Sequence, residues 1–178
     1  MKILFNKINK FALLTLALTA IIIFPHSAFA KQSRIAIVPF TMNSEKDLTF
    51  LQQGIFSMLS SRLSWENKVS VIARQETDDV VKNIPAPITE AKAREIGNIL
   101  NADYVLFGSI TIFGNSVSMD GTIVYIVKTR PPLSFYNQSK GMEEVIPRLN
   151  LFAEEINGKV FNRKTAVRQL QQQRAPVQ

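Results

Sequence analysis

The sequence contains no cysteine, and its one histidine is His26. Disulfide frameworks, thiol nucleophiles and thiolate metal sites are excluded at once. Beyond residue 30 there is no histidine either. Ser-His-Asp and Cys-His arrangements cannot be assembled there, and a zinc site would have to do without its usual ligands. The chain has only seven glycines. They form neither a G-x-G-x-x-G fingerprint nor a P-loop, and Gly108 and Gly114 stand too far apart to cradle a phosphate. A Ser-x-x-Lys pair, which a histidine-free serine acylase would use, is also missing. The one long apolar run is Phe11–Phe24, broken in polarity only by Thr15 and Thr19.

That run follows a basic start, Lys2, Lys7 and Lys10, and ends at Pro25. Ala28-Phe29-Ala30 places small residues where a signal peptidase reads them. The first 30 residues are therefore expected to be an export signal, cut before Lys31. The alternative is an inner-membrane anchor made by Phe11–Phe24, although a span needs about 20 apolar residues. After cleavage no stable membrane insertion is expected, since no later segment is long and apolar enough. The absence of cysteine also removes the acceptor for a lipid anchor at the cleavage site.

Removing the three leading lysines lowers the net charge from +7 to +4. Much of the remainder lies near the end, in Lys159, Arg163, Lys164, Arg168 and Arg174. The body is nearly neutral, which argues against nucleic acid as a partner. Residues 163–178 are Gln-rich, basic and aperiodic, and read as a flexible tail able to touch anionic surfaces.

Residues 31–162 have the size of one domain. Arg34–Phe40 (RIAIVPF) is a β-branched run closed by Pro39, a buried strand. Thr41–Asp47 reads as a polar loop. Leu51, Ile55, Met58, Leu59 and Leu63 recur at helical spacing. Burying these five contributes on the order of 10 kcal/mol before chain entropy is subtracted. Lys68–Ala73 is a second strand, completing a β-α-β unit. A short helix, about Gln75–Lys82, precedes Pro85 and Pro87. Thr89 is placed to cap a helix that runs to Leu100. Asp103–Phe113 and Ser116–Lys128 form a hairpin turned by Gly114-Asn115, with Val117, Met119, Gly121, Ile123 and Tyr125 on one face. Pro131-Pro132 makes Leu133–Gln138 an edge strand. Glu143–Phe161 closes the domain as a helix, with Pro147 tolerated in its first turn. The fold class is therefore α/β, a mixed sheet of about five strands in the order 2-1-3-4-5 with helices packed on it.

Three stretches carry a family resemblance: RIAIVPF, QQGIFSMLSSRLS leading to VSVIAR, and AREIGNILNADYVLFGSI. Their order resembles the amino-terminal domain of the Tol-system periplasmic propeller protein, and the related core of curli-type secretion and flagellar envelope lipoproteins. More narrowly, EKDLTFLQQGIFSMLSSRLSWENKVSVI, FGNSVSMDG and NQSKGMEEVIP resemble the amino-terminal domain of exported bacterial proteins that carry FG-GAP/VCBS propeller repeats. The resemblance covers residues 31–162. It implies a Tol-like α/β domain without catalytic residues. The lipid-bearing cysteine of the secretion lipoproteins has no counterpart here.

Carboxylate pairs occur at Asp78-Asp79, Glu143-Glu144 and Glu154-Glu155. Neighbours on a helix point about 100° apart and do not converge on one bond. They read as solvated faces. Asp120-Gly121 lacks the further acids of a calcium loop. Asp103, at a strand start, caps or turns. Trp65 reads either as a lid on the core edge or as an aromatic anchor for a partner. Phe135 and Tyr136 alternate on the edge strand, so one packs inward and the other is exposed. The function expected is a non-enzymatic periplasmic module, without cofactor or metal, that binds another envelope protein through Phe135 or Tyr136 and Trp65. The alternatives are a small-ligand or nucleotide-related site at the carboxyl ends of the parallel strands and a hydrolase using carboxylates alone.

Overall fold

The computed structural model describes residues 31–45, 47–127 and 130–163. The expected signal or anchor, and the tail beyond Arg163, lie outside the described residues. The elements, in chain order, are β1 (Ser33–Ile37), β2 (Thr41–Asn43), α1 (Thr49–Leu63), β3 (Val69–Val71), α2 (Arg74–Val81), α3 (Glu90–Ile99), β4 (Tyr104–Phe113), β5 (Ser116–Tyr125), β6 (Leu133–Lys140) and α4 (Val145–Lys159). A 3-10 turn, Met142–Glu144, leads into α4.

Local chemistry sets several boundaries. Leu48 at the start of α1 offers no side-chain cap. Asp47 does this instead: its Oδ1 accepts the Thr49 amide at 3.0 Å and the Thr49 hydroxyl at 2.6 Å. Those hydrogen bonds hold the Asp47 carboxyl below the usual carboxylate range. Thr89 caps α3 as its sequence position predicts, accepting from the Lys92 amide at 3.4 Å. Asp103 accepts the Arg34 amide at 2.8 Å and so ties β4 to β1. Gly114, at φ +57°, supplies the left-handed residue of the two-residue β4–β5 turn.

The sheet follows the path β3-β1-β4-β5-β6, the expected order. β1 pairs parallel with β3 and β4, and β4, β5 and β6 form an antiparallel meander. One strand departs from expectation. Thr41–Asn43, which its polarity marks as loop, pairs parallel with Ser109–Thr111 of β4. Pro39 has no amide to offer a ladder, so regular pairing stops at Ile37 and resumes two residues beyond the proline.

The chain steps from β1 one way to β3, then back the other way to β4. Crossovers of one hand that step in opposite directions fall on opposite faces. Accordingly α1 packs on one face and α3 on the other. The larger core joins Ile35, Ile37, Leu106, Ile110 and Ile123 of the sheet to Ile55, Leu59 and Leu63 of α1 and Leu149, Phe152 and Ile156 of α4. Phe152 is its hub, edge-on to Phe40 at 6.4 Å and to Phe135 at 5.7 Å. It sits over Gly121, where a Cβ would collide with its ring. The smaller core joins Ala36, Val38, Val105 and Val124 to Ala93, Ile96 and Leu100.

Candidate interaction surface

The first face is covered along the sheet by α1 and α4. The second is covered only in part. α3 shields Val105 and Val124, which are fully buried. Further along the same face the side chains turn polar. Register places Thr41, Ser109, Asp120 and Tyr136 in one row across four strands. Asn43, Thr111, Ser118 and Gln138 form the next row. A period of two explains this face: residues that alternate with buried Val117, Met119, Gly121 and Ile123 are Ser116, Ser118, Asp120 and Thr122.

The polar groups bond mostly to one another. Tyr136 donates to Gln138 Oε1 at 2.9 Å, Gln138 Nε2 donates to Ser116 Oγ at 3.0 Å, and Asn43 Nδ2 donates to Thr111 Oγ1 at 3.2 Å. Charge is scarce: Asp120 in the middle, Lys140 at the margin. Where this face meets the loop before α3 there is a cleft of about 410 Å³. Val38, Pro39, Pro87, Ile88 and Phe107 form its apolar wall, and Thr41, Asn43, Ser109, Asp120 and Thr122 its polar side. It lies past the carboxyl end of β1, the end at which parallel strands favour a ligand site.

The three residues singled out in the sequence do not converge. Trp65 lies beside β3, with its backbone bridged to Val69. β6 is at the opposite edge of the sheet, about 19 Å away at ~4.8 Å per strand spacing. Trp65 is half-buried against the larger core, and the Arg163 guanidinium lies 5.4 Å from its ring centroid. That is the arrangement of a lid. Phe135 is buried against Phe152, so of the edge-strand pair only Tyr136, 62% exposed, is available to a partner.

The carboxylate pairs are divided among separate bases. Asp78 meets Arg74 at 3.2 Å, Asp79 meets Lys82 at 2.7 Å, Glu144 meets Arg148 at 3.5 Å and Glu155 meets Lys159 at 2.5 Å. Among the described residues no group of three or more acidic or histidine side chains could hold a metal ion. No described helix is long and apolar enough to cross a membrane. Sequence reasoning offers the carboxyl ends of the parallel strands as one alternative for a ligand site, but misses the walls of this cleft and the place of Asp120 in it. A signal is present in the alternating small polar residues of β5, but a cleft formed with Pro87 and Ile88 depends on a loop some thirty residues earlier.

Residues 21–142 match the family described as "Curli production assembly/transport component CsgG". The chain belongs to this family. The match spans all six strands and stops before α4. No curated protein matches the chain. Among solved structures the chain is similar to the LpoB C-terminal domain from Salmonella enterica (14% identity, 64% of this chain and 87% of that one, TM-score 0.46). It is also similar to lipoprotein GNA1162 from Neisseria meningitidis (17%, 75% and 99%, TM-score 0.45). A third similarity is to TolB from Acinetobacter baumannii (14%, 74% and 28%, TM-score 0.46).

Proposed function

We propose that this protein is a non-enzymatic module of the bacterial envelope that binds another envelope protein at its β6 edge. The observation that carries this reading is the exposure of Tyr136 on a strand with one free side. Among the described residues β6 pairs with β5 alone, so the backbone groups of its other edge are available for strand addition by a partner. Tyr136 gives such a partner a large rigid contact with a polar tip. Membership of a family described by assembly and transport supports an interaction role, as does the lack of histidine and cysteine beyond residue 30. Export by cleavage before Lys31 and the narrower kinship with FG-GAP/VCBS-bearing proteins are parts of the same proposal.

A photo-crosslinking amino acid at position 136 tests it in living cells. The expected result is a discrete adduct with an envelope protein, absent when the crosslinker replaces Arg94 on α3. Equal adducts from both positions, or an adduct from 94 alone, would remove the β6 edge from the reading.

A further inference from the structure

The cleft on the uncovered face carries a charge that no described residue answers with an ion pair. The chain is basic, at +7, yet the cleft lining holds one carboxylate and no Lys or Arg. Asp120 takes part in no ion pair among the described residues; its Oδ2 accepts only a long bond, 3.4 Å, from Ser118 Oγ. Lys140 is the other charge on this face. It lies four residues along β6 from Tyr136, the register partner of Asp120, about 14 Å away at ~3.4 Å per residue. Other acids do have partners: Glu90 engages Arg94, Glu144 engages Arg148, and Asp103 accepts a backbone amide. Hydroxyl and amide side chains flank Asp120, and the facing wall is apolar and includes the half-buried ring of Phe107. A volume of about 410 Å³ falls at the small end of ligand sites.

These features describe a receptor for one cation on an apolar stem. An alkyl chain would lie against Val38, Ile88 and Phe107 while its ammonium or guanidinium meets Asp120 and the surrounding hydroxyls. The Phe107 ring adds a favourable face for the same charge. A nucleotide is disfavoured, because its phosphates would meet a carboxylate and no base. The cleft is also continuous with the surface already assigned, since Asp120 stands directly opposite Tyr136 in the ladder.

We propose that the cleft beside Asp120 receives a single basic side chain, lysine or arginine, from a partner polypeptide lying across the uncovered sheet face. The proposal rests on the protein-interaction reading for the polypeptide that supplies the side chain, but it is testable without that partner. The probe is the capped peptide acetyl-Gly-Arg-Gly-amide, titrated into isotope-labelled protein and followed by backbone amide shifts. The same peptide with citrulline keeps the shape and loses the charge. The expected result is saturable shifts centred on Ile88, Ser109, Asp120 and Thr122. They should weaken at high salt and weaken about tenfold or more with citrulline or with Asp120→Asn. The proposal is overturned by equal shifts from the arginine and citrulline peptides, by shifts that survive Asp120→Asn, by shifts centred on β6 rather than the cleft, or by none up to about 10 mM peptide. Failure here with a positive crosslink from position 136 would leave the β6 contact standing. The reverse would separate the cleft from it.

Discussion

The two halves of the sheet share β4 and behave differently. In the half made by β3, β1 and the start of β4, helices lie on both faces, and Ala36, Ile37 and Val105 are essentially inaccessible. In the half made by the end of β4, β5 and β6, one face packs on α4, and on the other no described helix reaches beyond Val124. The strands record this difference. Arg34–Val38 (RIAIV) is a continuous apolar run after its first residue, the pattern of a strand buried on both sides. Ser116–Tyr125 (SVSMDGTIVY) alternates, the pattern of a strand with one wet face. Stability is concentrated in the first half and on the α4 side. Little of the fold depends on the polar face of the second half.

The largest effect expected from breaking this comparison is at its shared hub. Phe152→Ala removes the ring that touches Phe40, Phe135 and Gly121. It should lower unfolding free energy by about 3–5 kcal/mol, measured by denaturant melts. Next comes a matched pair on one strand and one face. Val105 and Ser109 both lie in β4, four residues apart, the first under α3 and the second uncovered. Val105→Ser should cost about 2–4 kcal/mol, because it combines lost packing with a buried hydroxyl. Ser109→Val should fall within about 0.5 kcal/mol of the parent. Similar costs at the two sites would show that the halves are not distinct.

Much of this architecture is legible in the amino-acid sequence. The strand path, the hairpin at Gly114, the Thr89 cap and the inward set Val117, Met119, Gly121, Ile123 and Tyr125 follow from periodicity, turn chemistry and crossover handedness. β2 is not legible, because Thr41-Met42-Asn43, one apolar residue between two polar ones, is too short to carry a strand pattern of its own. They pair only because β4 extends beyond β1 and presents Ser109–Thr111 to them. Trp65 is ambiguous for a similar reason: whether an aromatic between helix and strand is a lid or an anchor depends on what lies over it, here Arg163. Of the surface, the Phe135–Tyr136 alternation can be read, but not which ring faces inward. The Asp120 cleft cannot, since its walls come from Val38, Pro87 and Phe107, residues distant in sequence.

Two smaller effects sharpen the contrast. Tyr136→Ala should leave the melting temperature nearly unchanged, since the ring is exposed and its hydroxyl bonds only to exposed Gln138. Loss of partner crosslinking from a neighbouring position without loss of stability would then report recognition alone. The smallest expected effect is at the cap of α1. Asp47 has a lowered folded pKa, so its contribution is present above the ordinary carboxyl range and is lost as pH falls through the folded value. Melting temperatures of the parent and Asp47→Asn should differ at pH 6 and converge toward about pH 2–3. A gap that persists in acid would assign the difference to something other than the ionised carboxylate.

The most direct test of the account is hydrogen exchange on the protein alone and in complex with the partner crosslinked through position 136. The account predicts new protection of amides in Leu133–Lys140, with Thr49–Leu63 and Val145–Lys159 unchanged. Unchanged exchange across Leu133–Lys140, with new protection in either of those helices, would contradict it and place recognition on the covered side of the sheet.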